Sequence, residues 1–89
     1  ILIVFGNRMN ILIQIKKIIS DVLNVSISDL EMGSSPDNTE NWDSIKHMDI
    51  IASLEEEFSI TFDEEEIFEM MNLEIILIII QEKVAIQKY

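Results

Sequence analysis

The hydrophobic pattern divides the chain into three long segments and one short segment. In residues 9–24 and 44–58, apolar side chains recur every three or four positions, the spacing that places them on one face of an α-helix. Residues 73–87 form a third helix-length segment, and residues 63–70 form a shorter one. We therefore predict an all-α fold, a small up-and-down four-helix bundle with three main helices and one short helix.

Polar residues that favour helix starts lie at the beginning of three of these segments. Asp43 and Ser44 stand at the start of segment 44–58, Asp63 is the first residue of the short segment 63–70, and Asn72 precedes segment 73–87. Their side-chain oxygens can accept hydrogen bonds from the free N–H groups of a first helical turn. We expect the second helix to display Ser44 at its N-terminus.

The last segment contains a continuous aliphatic run, Ile75–Ile80, that could by itself be a buried strand. No other stretch offers a partner strand, and Asn72 before the run favours a capped helix. Because an aliphatic run covers every face of a helix, we expect one or two of Ile76, Ile79 and Ile80 to stay exposed or to contact a neighbouring molecule. Such an exposed face would support weak self-association of an otherwise monomeric protein.

Residues 25–43 lack helical periodicity and are rich in serine, asparagine and aspartate, with one glycine and the chain's single proline. A connection of this length is uncommon in a compact domain unless it is pinned to the core. We expect Ile27, Leu30 and Trp42 to pack inward, Trp42 as an anchor for the end of the loop rather than as a partner contact. A short helical turn is predicted near residues 28–32.

The length of 89 residues suits one small domain. Residues 1–8 begin with an apolar stretch but lack the basic flank and cleavage site of a signal peptide. We interpret them as an N-terminal leader or a cloning remnant, and residues 9–89 as the domain, with Met9 the natural start. No apolar run approaches the roughly 20 residues that span a bilayer, so we expect a cytoplasmic protein that does not enter membranes.

The charge balance limits the choice of partners. The chain has 17 acidic and 6 basic residues and a net charge of −11. Such a surface repels the phosphates of nucleic acids and anionic lipids. It either attracts proteins that carry basic patches or serves only to keep the protein soluble, and charge alone leaves both open. The chain also has no cysteine, so thiol chemistry would require a group that is attached to it.

A catalytic role for the Ser44 and His47 pair is not supported by its surroundings. The chain has only two glycines and no G-x-S-x-G motif from which an oxyanion hole could be built. His47 is the only histidine, which excludes a multi-histidine metal site, and the acidic clusters lack the EF-hand pattern. We therefore expect no enzyme activity and no metal site, and we expect His47 to be an ordinary surface or boundary residue.

Three features of the chain occur together in one known family: the tripeptide DSI at residues 43–45, the segment LEEEF at residues 54–58, and Ile60. On these features the chain resembles acyl carrier proteins over residues 9–84. The resemblance implies that Ser44 Oγ holds a 4′-phosphopantetheine arm from coenzyme A, added by a phosphopantetheinyl transferase. The chain would then carry acyl intermediates as thioesters to the acyl-processing enzymes of fatty-acid, polyketide or specialised biosynthesis.

The resemblance also implies a partner-recognition surface on the second helix. Its apolar contacts would come from Ile45 and Met48, and its acidic contacts from Asp43, Asp49, Glu55 and Glu56. For Met48, filling of the core is an open alternative.

Three residues near the motif, Trp42, Lys46 and His47, depart from the usual fatty-acid carriers. Tryptophan at this position is familiar in carriers of specialised pathways and in peptidyl carriers. The sequence therefore leaves open an aminoacyl or peptidyl carrier, loaded by an aminoacyl-loading ligase rather than by an acyl-loading one. A second alternative is a non-carrier helical interaction module in which Ser44 only caps the helix.

Overall fold

The computed structural model describes the backbone of residues 2–87 and the side chains of residues 9–85. Its elements are, in order, α1 (Leu2–Leu23), a 3₁₀ turn (Ile27–Asp29), α2 (Ser44–Phe58), α3 (Glu64–Glu69) and α4 (Leu73–Gln87). No strand occurs in this part of the chain, so the predicted all-α helical bundle is confirmed. None of the helices searched there is both long enough and apolar enough to cross a bilayer.

The observed helix ends agree with the prediction for α2 and α4, whereas α1 starts earlier than expected. Its helical backbone begins at Leu2 instead of Met9, and neither Gly6 nor Asn7 interrupts it. The helix therefore runs through most of the segment that we interpreted as a leader. Residue 1 and the side chains of residues 2–8 lie outside the described part, and the division into 1–8 and 9–89 stays a prediction.

One hydrophobic core joins the long helices and the loop that connects α1 to α2. Its fully buried side chains come from α1, α2, α4 and the segment before α4, and the largest of them are Ile15, Ile19, Leu23, Ile50, Leu54, Met70, Leu73, Ile76, Leu77 and Ile80. The core fixes the orientation of α2, and this determines which residues α2 presents to solvent.

The predicted caps of α3 and α4 are present. Asp63 accepts a hydrogen bond from the Glu66 N–H while the Glu66 side chain accepts one from the Asp63 N–H, which is a complete capping box. Asn72 Oδ1 accepts a hydrogen bond from the Ile75 N–H at 2.9 Å. Polar side chains therefore set the starts of both helices, as the sequence indicated.

The prediction that Ile76, Ile79 or Ile80 stays exposed is wrong, because all three are buried. Their side chains belong to the core that also contains residues of α1, α2 and the loop. The loop meets the start of α4, where the Leu73 N–H donates to the Ser34 carbonyl and the Glu74 N–H to the Met32 carbonyl, both at 3.0 Å. Ile78 is instead the exposed member of the aliphatic run, at 46%.

The loop is pinned at two of the three predicted positions. Leu30 and Trp42 are buried, each only 3% exposed, whereas Ile27 is exposed. The helical turn lies at Ile27–Asp29, slightly earlier than predicted, and the Leu30 N–H donates to the Ile27 carbonyl at 3.0 Å. The turn therefore directs Leu30 into the core and leaves Ile27 at the surface. Trp42 is the core anchor that we expected.

A pair of substitutions on α4 tests this packing. We expect Ile76→Ala to lower the free energy of unfolding by about 2–4 kcal/mol, because it leaves a cavity among fully buried side chains. Ile78→Ala should cost less than about 1 kcal/mol, because Ile78 is partly exposed. Urea unfolding followed by circular dichroism measures both, and equal losses for the two variants would contradict the observed orientation of α4.

Candidate functional site

Ser44 is the first residue of α2, and its exposed hydroxyl makes no hydrogen bond to the described residues. The residue before it, Asp43, caps the helix: its Oδ1 accepts from the Lys46 N–H at 2.8 Å, and its carbonyl accepts from the His47 N–H at 2.8 Å. The alternative in which Ser44 is only the helix cap is therefore wrong. Because Asp43 does the capping, the Ser44 hydroxyl is free to react.

The start of α2 favours a negatively charged group next to Ser44. The backbone N–H groups of Ser44 and Ile45 have no partner among the described residues, and they lie at the positive end of the helix dipole. Such N–H groups bind phosphate well. The carboxylate of Asp43 opposes this attraction, but it is held by the Lys46 N–H. The geometry thus suits an exposed hydroxyl that carries a phosphate ester.

The outward face of α2 combines apolar and acidic side chains. Ile50, Ile51 and Leu54 lie on the buried face of α2 and pack the helix against the core. The opposite face exposes four of the predicted recognition residues, namely Ile45, Met48, Asp49 and Glu56. Met48 is half-exposed, so it does not fill the core. The arrangement brings these four side chains, with Ser44, to one side of a single helix.

Glu55 differs from the other predicted recognition residues because it has a local structural contact. It lies at the border of the outward face and is partly buried. Its Oε2 accepts a hydrogen bond from the Phe62 N–H at 2.9 Å, which ties the segment after α2 back to the helix. A role of Glu55 in partner recognition stays a prediction.

A contact chain that we did not predict joins the loop, α2 and α3. The Trp42 Nε1–H donates to His47 Nδ1 at 3.1 Å, and the two rings stack with their centroids 6.1 Å apart. His47 Nε2 lies 3.4 Å from the Ile67 carbonyl oxygen of α3. The contact chain therefore fixes the end of the loop and α3 beside the first turns of α2.

The hydrogen-bond partners of His47 indicate which ring nitrogen carries the proton. An indole N–H can only donate, so His47 Nδ1 must be unprotonated and must accept. The proton of the neutral ring is then on Nε2, which donates to the Ile67 carbonyl. A sequence signal for this contact exists: Trp42 precedes the cap residue and His47 is the fourth helical residue, the two positions that meet in a hydrophobic staple.

We expect Asp43→Ala to lower the free energy of unfolding by about 1 kcal/mol, because the Lys46 N–H loses its acceptor. Asp43→Asn keeps a side-chain oxygen at the cap position and should restore most of this loss. Thermal unfolding of both variants and the wild type measures the difference. If the asparagine variant were as unstable as the alanine variant, Asp43 would contribute through its charge rather than as a cap.

One family model matches the chain, and its description is phosphopantetheine attachment site. The match covers residues 13–76, which is more than half of the chain and includes all of α2 and α3. A search of curated proteins finds no match. In the described residues no group of three or more histidine, cysteine or carboxylate side chains is placed to hold a metal ion.

Proposed function

The chain belongs to the family of domains that carry a phosphopantetheine attachment site, and from this premise we propose that Ser44 is the residue that holds the arm. Members of this family are non-catalytic carriers with covalently attached 4′-phosphopantetheine. The observation that carries the proposal is the exposed Ser44 hydroxyl at the start of α2, which Asp43 leaves free by capping the helix in its place.

Comparison with the other serines supports the choice of Ser44. Most of their hydroxyls already take part in hydrogen bonds, as is the case for Ser20, Ser26, Ser28, Ser34 and Ser35. Ser53 lies in the middle of α2, where the backbone N–H groups are used by the helix itself. Of the serines described, Ser44 alone begins an α-helix, where its exposed hydroxyl lies next to free N–H groups that can receive a phosphate.

The attachment reaction requires little from the carrier itself. The Ser44 oxygen forms a bond to the β-phosphorus of coenzyme A and loses its proton to the transferase, while the phosphoanhydride bond breaks and adenosine 3′,5′-bisphosphate leaves. The free N–H groups of Ser44 and Ile45 would hold an oxygen of the resulting phosphodiester. When bound, the arm supplies the thiol that this cysteine-free chain lacks.

We assign an acyl cargo to the carrier, delivered to enzymes of fatty-acid, polyketide or specialised biosynthesis. The mixed outward face of α2, with Ile45 and Met48 among acidic residues, supports brief contacts with several basic enzymes in turn. The alternative cargo is an aminoacyl or peptidyl group, and loading assays with acyl and aminoacyl ligases distinguish the two. We also propose that the carrier is a monomer and is located in the cytoplasm.

The proposal is tested by incubating the protein with coenzyme A and a broad-specificity phosphopantetheinyl transferase. We expect the intact mass to rise by one phosphopantetheine, and by no more than one. Omission of coenzyme A is the control and should leave the mass unchanged. A folded protein that gains no mass under these conditions would overturn the proposed function.

A further inference from the structure

The residue that directs the chain into α2 has an uncommon backbone conformation. Asn41 has a φ of 68°, in the left-handed region that most residues with a side chain avoid. Asparagine enters this region more readily than most other residues. Asn41 is followed by Trp42, which is buried, and by Asp43, which caps the helix. The left-handed residue therefore sets the direction from which the chain reaches Ser44.

The side chain of Asn41 joins this part of the loop to the end of another helix. Its amide Nδ2 donates a hydrogen bond to the carbonyl oxygen of Leu23 at 2.9 Å. Leu23 is the last residue of α1, and its side chain is buried. The final carbonyls of a helix have no partner within the helix, so a side-chain donor satisfies one of them here. We call this hydrogen bond the Asn41 tether.

Further hydrogen bonds connect the Asn41 tether to the first turn of α2. The Asp43 N–H donates to the Asn41 carbonyl at 3.2 Å. Asp43 in turn accepts hydrogen bonds from the N–H groups of Lys46 and His47, both at 2.8 Å. A continuous series of contacts thus runs from the end of α1 to the helical turn that contains Ser44.

The core does not hold this first turn directly. The buried residues of α2 begin at Ile50, more than one helical turn beyond Ser44, and Ser44 and Ile45 are both exposed. The position of the Ser44 hydroxyl therefore depends on the contacts made just before and within the first turn. His47 connects that turn to α3, and the Asn41 tether connects it to α1.

We propose, as an extension of the proposed function on which it rests, that Asn41 is a positioning residue for the modification of Ser44. Transfer of the arm requires the Ser44 oxygen to lie in line with the phosphoanhydride bond that breaks, and a small displacement of a reacting atom lowers the rate strongly. The Asn41 tether holds the first turn of α2 in the orientation that the transferase uses. Asparagine supplies both the amide donor and a backbone that accepts the left-handed conformation.

The test is the rate of modification in a single turnover, with saturating coenzyme A and a broad-specificity transferase in excess over the carrier. We expect Asn41→Gly to lower the maximal rate about tenfold, because glycine keeps the left-handed conformation but removes the amide donor. The transferase concentration that gives half of this rate should change less than about twofold. Asn41→Asp, which sets a carboxylate against the Leu23 carbonyl, should be slowed at least as much.

Amide hydrogen exchange followed by NMR reports on the same turn without the transferase. We expect the N–H groups of Lys46 and His47, which bond to Asp43, to exchange faster in Asn41→Gly than in the wild type. The N–H of Leu54, in the buried part of α2, should exchange at the wild-type rate. Equal acceleration at all three positions would show a general loss of stability and would overturn the positioning role.

A matched control comes from the opposite end of α2. Ser59 follows the helix and is also left-handed, with a φ of 53°. Ser59→Ala puts alanine in a conformation that it disfavours, so we expect a lower urea midpoint and an unchanged maximal rate of modification. An equal fall of the rate in Ser59→Ala and Asn41→Gly would show that lost stability slows the reaction, and it would overturn the proposal.

Other outcomes separate this inference from the function on which it rests. A wild-type chain that is modified, together with Asn41→Gly at the wild-type maximal rate, overturns the positioning role and leaves the attachment site intact. A wild-type chain that is never modified overturns both. An unchanged maximal rate that needs a much higher transferase concentration would assign Asn41 to binding of the enzyme and would also overturn the positioning role.

Discussion

Replacement of Ser44 by alanine should abolish attachment of the arm while the fold stays intact. The hydroxyl oxygen is the atom that bonds to phosphorus, so its removal leaves no nucleophile at the start of α2. Because Asp43 and not Ser44 caps the helix, and because Ser44 is exposed, the substitution should change the free energy of unfolding by less than about 0.5 kcal/mol. Intact mass after incubation with coenzyme A and the transferase measures the modification.

The matched control is Ser53→Ala, which removes a hydroxyl from the middle of the same helix. This variant should gain one phosphopantetheine at the wild-type rate. Modification of Ser44→Ala to the same extent as the wild type would place the attachment site elsewhere. Loss of modification in both variants would point to a general disturbance of α2 rather than to one nucleophile.

Replacement of Trp42 by alanine should have the largest effect on stability. The side chain is almost fully buried and its indole N–H donates to His47, so the loss combines a large cavity with a broken hydrogen bond, together about 3–5 kcal/mol. A chain of this length is stable by only about 4–13 kcal/mol. We expect the urea midpoint, followed by circular dichroism, to fall by more than about 2 M.

Trp42→Phe separates the contribution of side-chain packing from that of the hydrogen bond to His47. It retains most of the apolar contact but leaves His47 Nδ1 without its donor, so we expect a loss of about 1–2 kcal/mol. A midpoint for Trp42→Ala within the error of the wild-type value would contradict the view that Trp42 anchors the loop. Equal losses for the alanine and phenylalanine variants would show that the hydrogen bond, rather than the packing, holds the loop end.

The helices could be predicted because local signals determined them. Asp43, Asp63 and Asn72 each cap a helix through the side-chain oxygen that the sequence pointed to. The periodic spacing of Ile50 and Leu54 placed them in the core, and both are fully buried. Each of these predictions depends on residues within about one helical turn of one another, which is why the sequence was sufficient.

The errors arose where distant parts of the chain meet. Ile76 and Ile80 are buried in a core that α4 shares with α1, α2 and the loop, and periodicity within α4 carries no information about those distant contacts. The exposure of Ile27 depends on how a single 3₁₀ turn is oriented. Contacts between residues that are far apart in the sequence decide which side chains of an element are buried. A continuous aliphatic run does not indicate which of its side chains make those contacts.

For the site, the sequence led us to propose Ser44 as the attachment residue but did not predict the contacts around it. The family pattern drew attention to the serine, whereas the contact chain of Trp42, His47 and Ile67 appeared only once α3 was in place beside α2. Two residues that departed from the usual carrier pattern are thus explained by packing. Lys46 contributes its backbone N–H to the cap, and nothing in the structure accounts for its side chain.

The most direct test of the central claim is to locate the arm on the modified wild-type protein. Proteolysis followed by tandem mass spectrometry assigns the added group to one side chain. We predict that phosphopantetheine is found on Ser44 and on no other serine. Its presence on Ser53, or on any serine outside the start of α2, would contradict the proposal that α2 presents Ser44 as the attachment residue.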